Sequence, residues 1–232
     1  MAVNRVGTTT SDASGAKSTV ISGLAPDVPD HRSSGFRAAI RHITLPSEAR
    51  ILEVGGLSGD HTTIHLLDVF DNPIDIVEID EERASNLQSK YDNDPTTKDR
   101  IRLYNSDAMD FTSIHTYDLL IIDMPTGSID FGYEEILPNI SRYLSVGGTA
   151  IVYTIYDHAA AYDVDDPPGN GDQPKAFMLS FFGAPTLTVE RVDERLRPTG
   201  FAAIGLVDRW MLKGHRKGHG WVCLEKLPLP AA

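Results

Sequence analysis

The stretch Arg50-Ile51-Leu52-Glu53-Val54-Gly55-Gly56-Leu57-Ser58-Gly59-Asp60 decides the fold. Ile51, Leu52 and Val54 make a short apolar run with β-branched members, bounded by a glycine cluster. That combination reads as a buried strand feeding a tight turn. Glu53, Gly55 and Gly59 set the pattern Glu-x-Gly-x-x-x-Gly. Glycine accepts positive φ and lets a backbone come close to a ligand. Past Gly59, Ile64, Leu67 and Val69 recur at helical spacing. The unit is strand, glycine turn, helix, with the helix N-terminus aimed at whatever the turn holds.

A second strand follows, in which Ile74, Ile76, Val77 and Ile79 are interleaved with Asp75, Glu78 and Asp80. Glu78 lies 23 residues after Gly55, near the strand's end. An acidic side chain about 20 residues beyond a glycine turn is placed to accept hydrogen bonds from ribose hydroxyls. The pair predicts a nucleoside-type cofactor, against the alternative of a turn that binds nothing.

The strand and helix alternation continues. Ser34 is placed to cap a helix through Phe36, Ile40 and Ile43, ended by Pro46. Asp80, Glu81 and Glu82 open another helix carrying Ala84, Leu87 and Tyr91. Ile101, Leu103 and Tyr104 read as a third strand, followed by Ser106, Asp107 and Ala108. Asp107 is placed either to reach an adenine amino group or to cap the turn after the strand. Tyr117 to Asp123 is the strongest strand signal, with four consecutive apolar residues as in a strand covered on both faces. Asp123 ends it on the side where open parallel sheets bind ligands, and its alternative role is to cap the next loop.

Tyr133 to Leu144 reads as a helix stopped at Gly147 and Gly148, and Ala150 to Tyr153 as a fifth strand. Strands alternating with helices over short connections predict an α/β fold with a parallel sheet and right-handed crossovers. Asp157 to Pro174 holds five aspartates but lacks the alternating ligands of a calcium loop, so it reads as a mobile, solvated lid. Met178, Leu179, Phe181 and Phe182 form an apolar patch, read as core in preference to a substrate pocket. A helix over 188–197 precedes two strands, 201–212 and 220–224, whose short join makes them antiparallel. That join carries Lys213, Arg216 and Lys217, a soluble hairpin tip or a lure for an acidic substrate.

Residues 1–30 are rich in Ser, Thr, Gly, Ala and Pro and are expected to form mostly a flexible tail, with docking of Val20, Ile21 and Leu24 on the domain or over a substrate as the alternative, leaving one domain over 31–232. A formal charge of −12 argues against a large nucleic-acid footprint and against a polybasic membrane anchor. No apolar run approaches ~20 residues, so no membrane-spanning helix is expected. The N-terminus lacks the apolar core of a secretory signal. Cys223 is the one cysteine, which excludes an intrachain disulfide and fits a reducing, cytoplasmic setting.

Taken in order, Leu52-Glu53-Val54-Gly55 with Gly59, Val77 to Asp80, Ser106 to Ala108, Tyr117 to Asp123 and Leu144 to Gly148 resemble the motifs of class I S-adenosylmethionine-dependent methyltransferases over about residues 35 to 225. The resemblance implies a Rossmann-like, doubly wound, seven-stranded sheet, mostly parallel with one antiparallel strand near the C-terminus. It also implies S-adenosylmethionine as cofactor, its methionine part in the glycine turn, its ribose on Glu78 and its adenine on Asp107. The implied binding set is Glu53, Gly55, Gly56, Ser58, Gly59, Glu78, Ile79, Ser106, Asp107, Ala108 and Asp123. In motif style, Tyr133 to Pro138 followed by Gly147-Gly148 is similar to the catechol and caffeoyl-type O-methyltransferases. Their metal site needs an Asp-Asn pair at the end of the fifth strand, where this chain has Tyr153-Thr154. No catalytic metal is therefore expected.

The expected reaction is in-line methyl transfer to an O- or N-nucleophile of a small acceptor. Asp123, Asp157 and His158 are the candidate catalytic groups from their places near strand ends, with His61 a further candidate base. The alternatives are an aminopropyltransferase of the spermidine synthase type and a non-catalytic protein keeping the cofactor fold. No nucleic-acid or membrane partner is expected, and self-association as a homo-oligomer is left open.

Overall fold

Each segment read as a strand in the sequence contributes a strand to a single sheet. The computed structural model describes residues 35–57, 59, 61–123, 130, 132–161, 172–208 and 218–228, with the strand backbones of residues 10–11 and 17–21. The strands are β1 (Thr10–Ser11), β2 (Lys17–Ile21), β3 (Ile51–Val54), β4 (Ile74–Glu78), β5 (Ile101–Asn105), β6 (Tyr117–Ile122), β7 (Leu144–Ile155), β8 (Phe201–Asp208) and β9 (His219–Lys226). The helices are α1 (Gly35–Ile40), α2 (Thr63–Val69), α3 (Glu81–Asp92), α4 (Leu137–Ile140), α5 (His158–Ala161), α6 (Asp172–Phe177) and α7 (Val189–Leu196). A π-helical turn, Gly132–Ile136, leads into α4, and another, Met178–Phe182, leaves α6.

The sheet order is β1-β2-β8-β9-β7-β6-β3-β4-β5. Among the seven strands from β3 onward, β9 alone runs antiparallel, to both β7 and β8. The chain winds outward from β3 through β4 to β5, then returns to lay β6 on the other side of β3. That reversal opens a crevice at the carboxyl ends of β3 and β6, the place where such sheets hold ligands.

Strand alternation sorts the core onto two faces. Leu52, Val54, Leu120, Ile122, Ala150 and Val152 pack with Ile136, Leu137, Ile140, Val192 and Leu196 on one side. Ile51, Leu119, Ile121, Ile151 and Tyr153 pack with Phe36, Ile40, Leu66 and Leu87 on the other. Both faces are covered, as the unbroken apolar run in β6 requires.

Three expectations change. Two segments of the expected tail pair with the sheet: β2 lies parallel to β8, with Val20 opposite Leu206, and β1 lies against β2. The rest of residues 1–34 lies outside the described residues. The Gly147-Gly148 pair does not separate a helix from a strand, because β7 already starts at Leu144, which is buried and opposite Tyr117. Gly147 has φ 80°, and the register with β6 shifts between Tyr117 and Leu119. Between those pairs β6 advances two residues and β7 five, and a glycine in that conformation serves such a bulge as readily as a turn. Finally, the segment expected as a loop after Asp157 is helical at both ends, in α5 and in α6 from Asp172; residues 162–171, the end of the expected strand 201–212 from 209 onward, and residues 213–217 of the cationic join lie outside the described residues.

Candidate functional site

The parallel ladder carries past the strand ends and pins the site residues. Gly55 donates its N–H to Val77 at 2.9 Å, Asp123 to Val54 at 3.0 Å and Ser106 to Glu78 at 3.1 Å. The tips of β3, β4, β5 and β6 therefore share one rim.

The glycine turn is built for close packing. Gly55 has φ 83°, and a Cβ there would run into the Asp123 carbonyl oxygen. Gly59 has φ 74°, and its missing side chain leaves room for Tyr91 of α3, whose hydroxyl donates to the Gly59 carbonyl at 3.3 Å. Between them Leu57 takes φ 50°, a left-handed conformation that a branched side chain rarely adopts. Its N–H donates to Glu78 Oε2 at 2.9 Å. The other carboxylate oxygen of Glu78 accepts from Asp80 N–H at 3.0 Å. Glu78 is 3% exposed. The turn and the acidic strand end are thus in direct contact.

Glu53 is fully buried. Thr62 and Thr63, just before and at the start of α2, donate their hydroxyls to its two oxygens, Thr63 at 2.8 Å. Burial pushes its carboxyl up to about 7; the two hydroxyls pull the other way, and the nearby carboxylates of Asp123 and Glu78 add to the rise. The two threonines were missed in the sequence: nothing in Thr62-Thr63 beyond its place at a helix start signals a partner nine residues back.

The remaining expected residues fall as follows. Gly56 is buried beneath the turn, and Ser58 lies outside the described residues. Ile79 projects from the tip of β4 at 66% exposure. Asp107 accepts the Met109 N–H at 2.8 Å, which is the turn-capping role, while the Ser106 hydroxyl donates to the Asp107 carbonyl and Ala108 is buried. Asp123 is buried at the tip of β6. Asp157 makes a bridge with Thr186, and its backbone N–H donates to Gly218. His158 is half-buried at the first position of α5. Asp157 and His158 follow β7, two strands away from the glycine turn. His61 is half-buried in the segment entering α2.

A buried pair unmarked in the sequence reading lies across β7 and β9: the Tyr153 hydroxyl is hydrogen-bonded to Nδ1 of His219. Cys223 is buried in the core, and burial pushes its thiol up to about 12, which suits packing and not nucleophilic work. A separate cavity of about 460 Å³ is bounded by Tyr133, Leu137, Phe181, Arg195 and Phe201. It shares no lining residue with the glycine turn. The apolar patch of 178–182 divides accordingly: Met178 and Phe182 are core, and Phe181 faces this cavity. Among the described residues no three His, Cys, Asp or Glu side chains gather as a metal site, and no helix is long and apolar enough to cross a membrane.

A doubly wound sheet in this strand order, with a glycine turn touching an acidic neighbour at its switch point, defines the Rossmann-like methyltransferase fold. Solved structures share it. The O-methyltransferase TomG from Streptomyces achromogenes, a structure in complex with SAM, superposes with a TM-score of 0.54 at 16% identity, over 88% of this chain and 82% of TomG. The pyocyanin biosynthetic protein PhzM gives 0.52 at 15%, over 83% of this chain and 54% of PhzM. A Methanococcus jannaschii fibrillarin, a pre-rRNA processing protein, gives 0.53 at 18%, over 82% and 73%. The chain spans about half the length of PhzM and of LaPhzM. At these identities the likeness shows the fold. No family model matches the chain, and no curated protein matches it.

Proposed function

We propose that the protein is a methyltransferase that uses S-adenosylmethionine and methylates a small-molecule acceptor at oxygen or nitrogen. The observation that carries the reading is the contact between the glycine turn and the next strand's carboxylate, Leu57 N–H to Glu78 Oε2 at 2.9 Å. It supports a reading in which a ribose-type acceptor and a close-approach backbone serve one ligand.

The residues present suit that molecule. Each Glu78 oxygen accepts one backbone N–H and keeps lone-pair capacity for ligand hydroxyls. Ile79 offers an exposed apolar surface to a flat base. In this reading Gly55, Gly56, Ser58 and Gly59 carry the methionine portion, with Glu53 behind them, and Ser106, Asp107 and Ala108 border the adenine. S-adenosylmethionine supplies an already activated methyl group on a sulfonium. The chain's share is to align it with the acceptor and keep water out, an effect of several kcal/mol. Asp123, Asp157 and His158 are the groups proposed to take the acceptor's proton or orient it. The acceptor is proposed to be small because the chain's net charge of −12 does not suit a nucleic-acid substrate, although the same fold serves the fibrillarin pre-rRNA processing protein.

Titration calorimetry with S-adenosylmethionine, its decarboxylated form and S-adenosylhomocysteine tests the reading. Binding of the first and third supports it. Tight binding of the decarboxylated form alone would point to aminopropyl transfer, and binding of none to a non-catalytic protein. Glu78→Ala is expected to weaken S-adenosylmethionine binding about tenfold through lost charge-assisted hydrogen bonds. Unchanged affinity would remove the ribose assignment.

A further inference from the structure

A carboxyl group taken out of water needs either a counter-charge or a proton. Glu53 is fully buried, and its hydrogen bonds come from the Thr62 and Thr63 hydroxyls, neither of which carries charge. The charged side chains that act on it are carboxylates, Asp123 from the tip of β6 and Glu78 from the tip of β4. The segment that supplies the two threonines also carries the imidazoles of His61, half-buried, and His65, buried with its ring 6.3 Å from Phe36. α3 brings the hydroxyl of Tyr91 to Gly59. Among the described residues, neither Lys nor Arg is one of the main groups acting on Glu53.

We propose that this site takes its ligand by exchanging a proton on Glu53 for a positive charge on the ligand. The inference rests on the cofactor reading above and adds the charge and proton balance. A threonine hydroxyl donates to a carboxylate and, rotated, accepts from a carboxylic acid. Thr62 and Thr63 therefore satisfy Glu53 in both forms without moving the backbone. When a cationic group arrives beside three carboxyls, the ionised form of Glu53 is favoured. The proton passes to solvent, so the net reaction is protonated site plus cationic ligand giving complex plus one released proton. No bond other than O–H breaks. S-adenosylmethionine fits this demand, carrying a sulfonium and an α-ammonium, whereas 5′-methylthioadenosine has the same nucleoside and no cation.

Because burial already holds the carboxyl at about 7, the exchange spans neutral pH. S-adenosylmethionine affinity is expected to rise about tenfold from pH 6 to pH 8 and then level off. The direct test is calorimetry of the full chain at pH 6 in phosphate and in a buffer of high ionisation enthalpy. The slope of the observed heat against buffer enthalpy counts protons. The expected count is close to one released per S-adenosylmethionine and none per 5′-methylthioadenosine. Glu53→Gln should bring the first count to zero. Thr63→Val, which removes one neutral donor and leaves the carboxyl in place, should shift the affinity rise to higher pH. Buffer-independent heat with S-adenosylmethionine bound would overturn the exchange and leave the cofactor reading intact, as would release that persists in Glu53→Gln or occurs equally with 5′-methylthioadenosine. No binding of either compound would overturn both.

Discussion

The two halves of the sheet are built differently. In the β3–β4–β5 half, polar groups sit at strand tips around the glycine turn, and their partners lie 2 to 32 residues away, within consecutive strand–helix units: Glu53 with Thr62 and Thr63, Glu78 with Leu57 and Asp80, Gly59 with Tyr91. In the β7–β9 half, the polar groups meet only because distant segments are brought side by side. Tyr153 finds His219 across 66 residues, and the Asp157 N–H finds the Gly218 carbonyl just before β9. The first half resembles a pre-shaped cradle whose geometry is written into spacing. The second is a meeting point for segments, where an acceptor site can differ between proteins of one fold.

The contrast makes predictions, the largest in the cradle. Gly55→Ala adds a Cβ against the Asp123 carbonyl at φ 83°. It is expected to lower stability by about 3 kcal/mol or more, measured by urea unfolding. A loss below about 1 kcal/mol would mean the turn is not the rigid element described.

Next is the pH dependence from Glu53. Its carboxyl stands at about 7 in the folded chain against an ordinary 4.5, so the folded state holds this proton more tightly. Stability from this group is therefore full below pH 4.5 and lost as pH rises through 7, a change of about 3 kcal/mol. The difference in unfolding free energy between the ligand-free protein and Glu53→Gln, followed from pH 4.5 to 8, should fall by that amount. A flat difference would mean Glu53 is ionised throughout.

In the other half, Tyr153→Phe removes the hydroxyl bonded to His219 and is expected to cost about 1 kcal/mol of stability. S-adenosylmethionine affinity should not change. A change in affinity would show that the two halves are coupled and would blur the distinction drawn here. Tyr91→Phe, which deletes a 3.3 Å bond to Gly59, should cost less than about 1 kcal/mol and weaken the cofactor slightly.

The sequence made the cradle legible for a physical reason. Strand periodicity, positive-φ glycines and an acidic strand end all act over short stretches of chain, so Ile51–Val54, Gly55, Gly59 and Glu78 could be read directly. Charge and the seven principal strands were legible on the same basis. What spacing could not supply was the identity of partners. Thr62 and Thr63 look like any helix start until the buried Glu53 is found between them and two other carboxyls. Gly147 looked like a turn because glycine serves turns and bulges alike, and the register with β6 decided between the two. The pairing of β2 with β8 and of Tyr153 with His219 depends on contacts between residues far apart in the chain. Local backbone preference determined which segments became strands and where the glycine turn lies. Long-range packing alone decided which polar groups are buried together, and through burial their protonation.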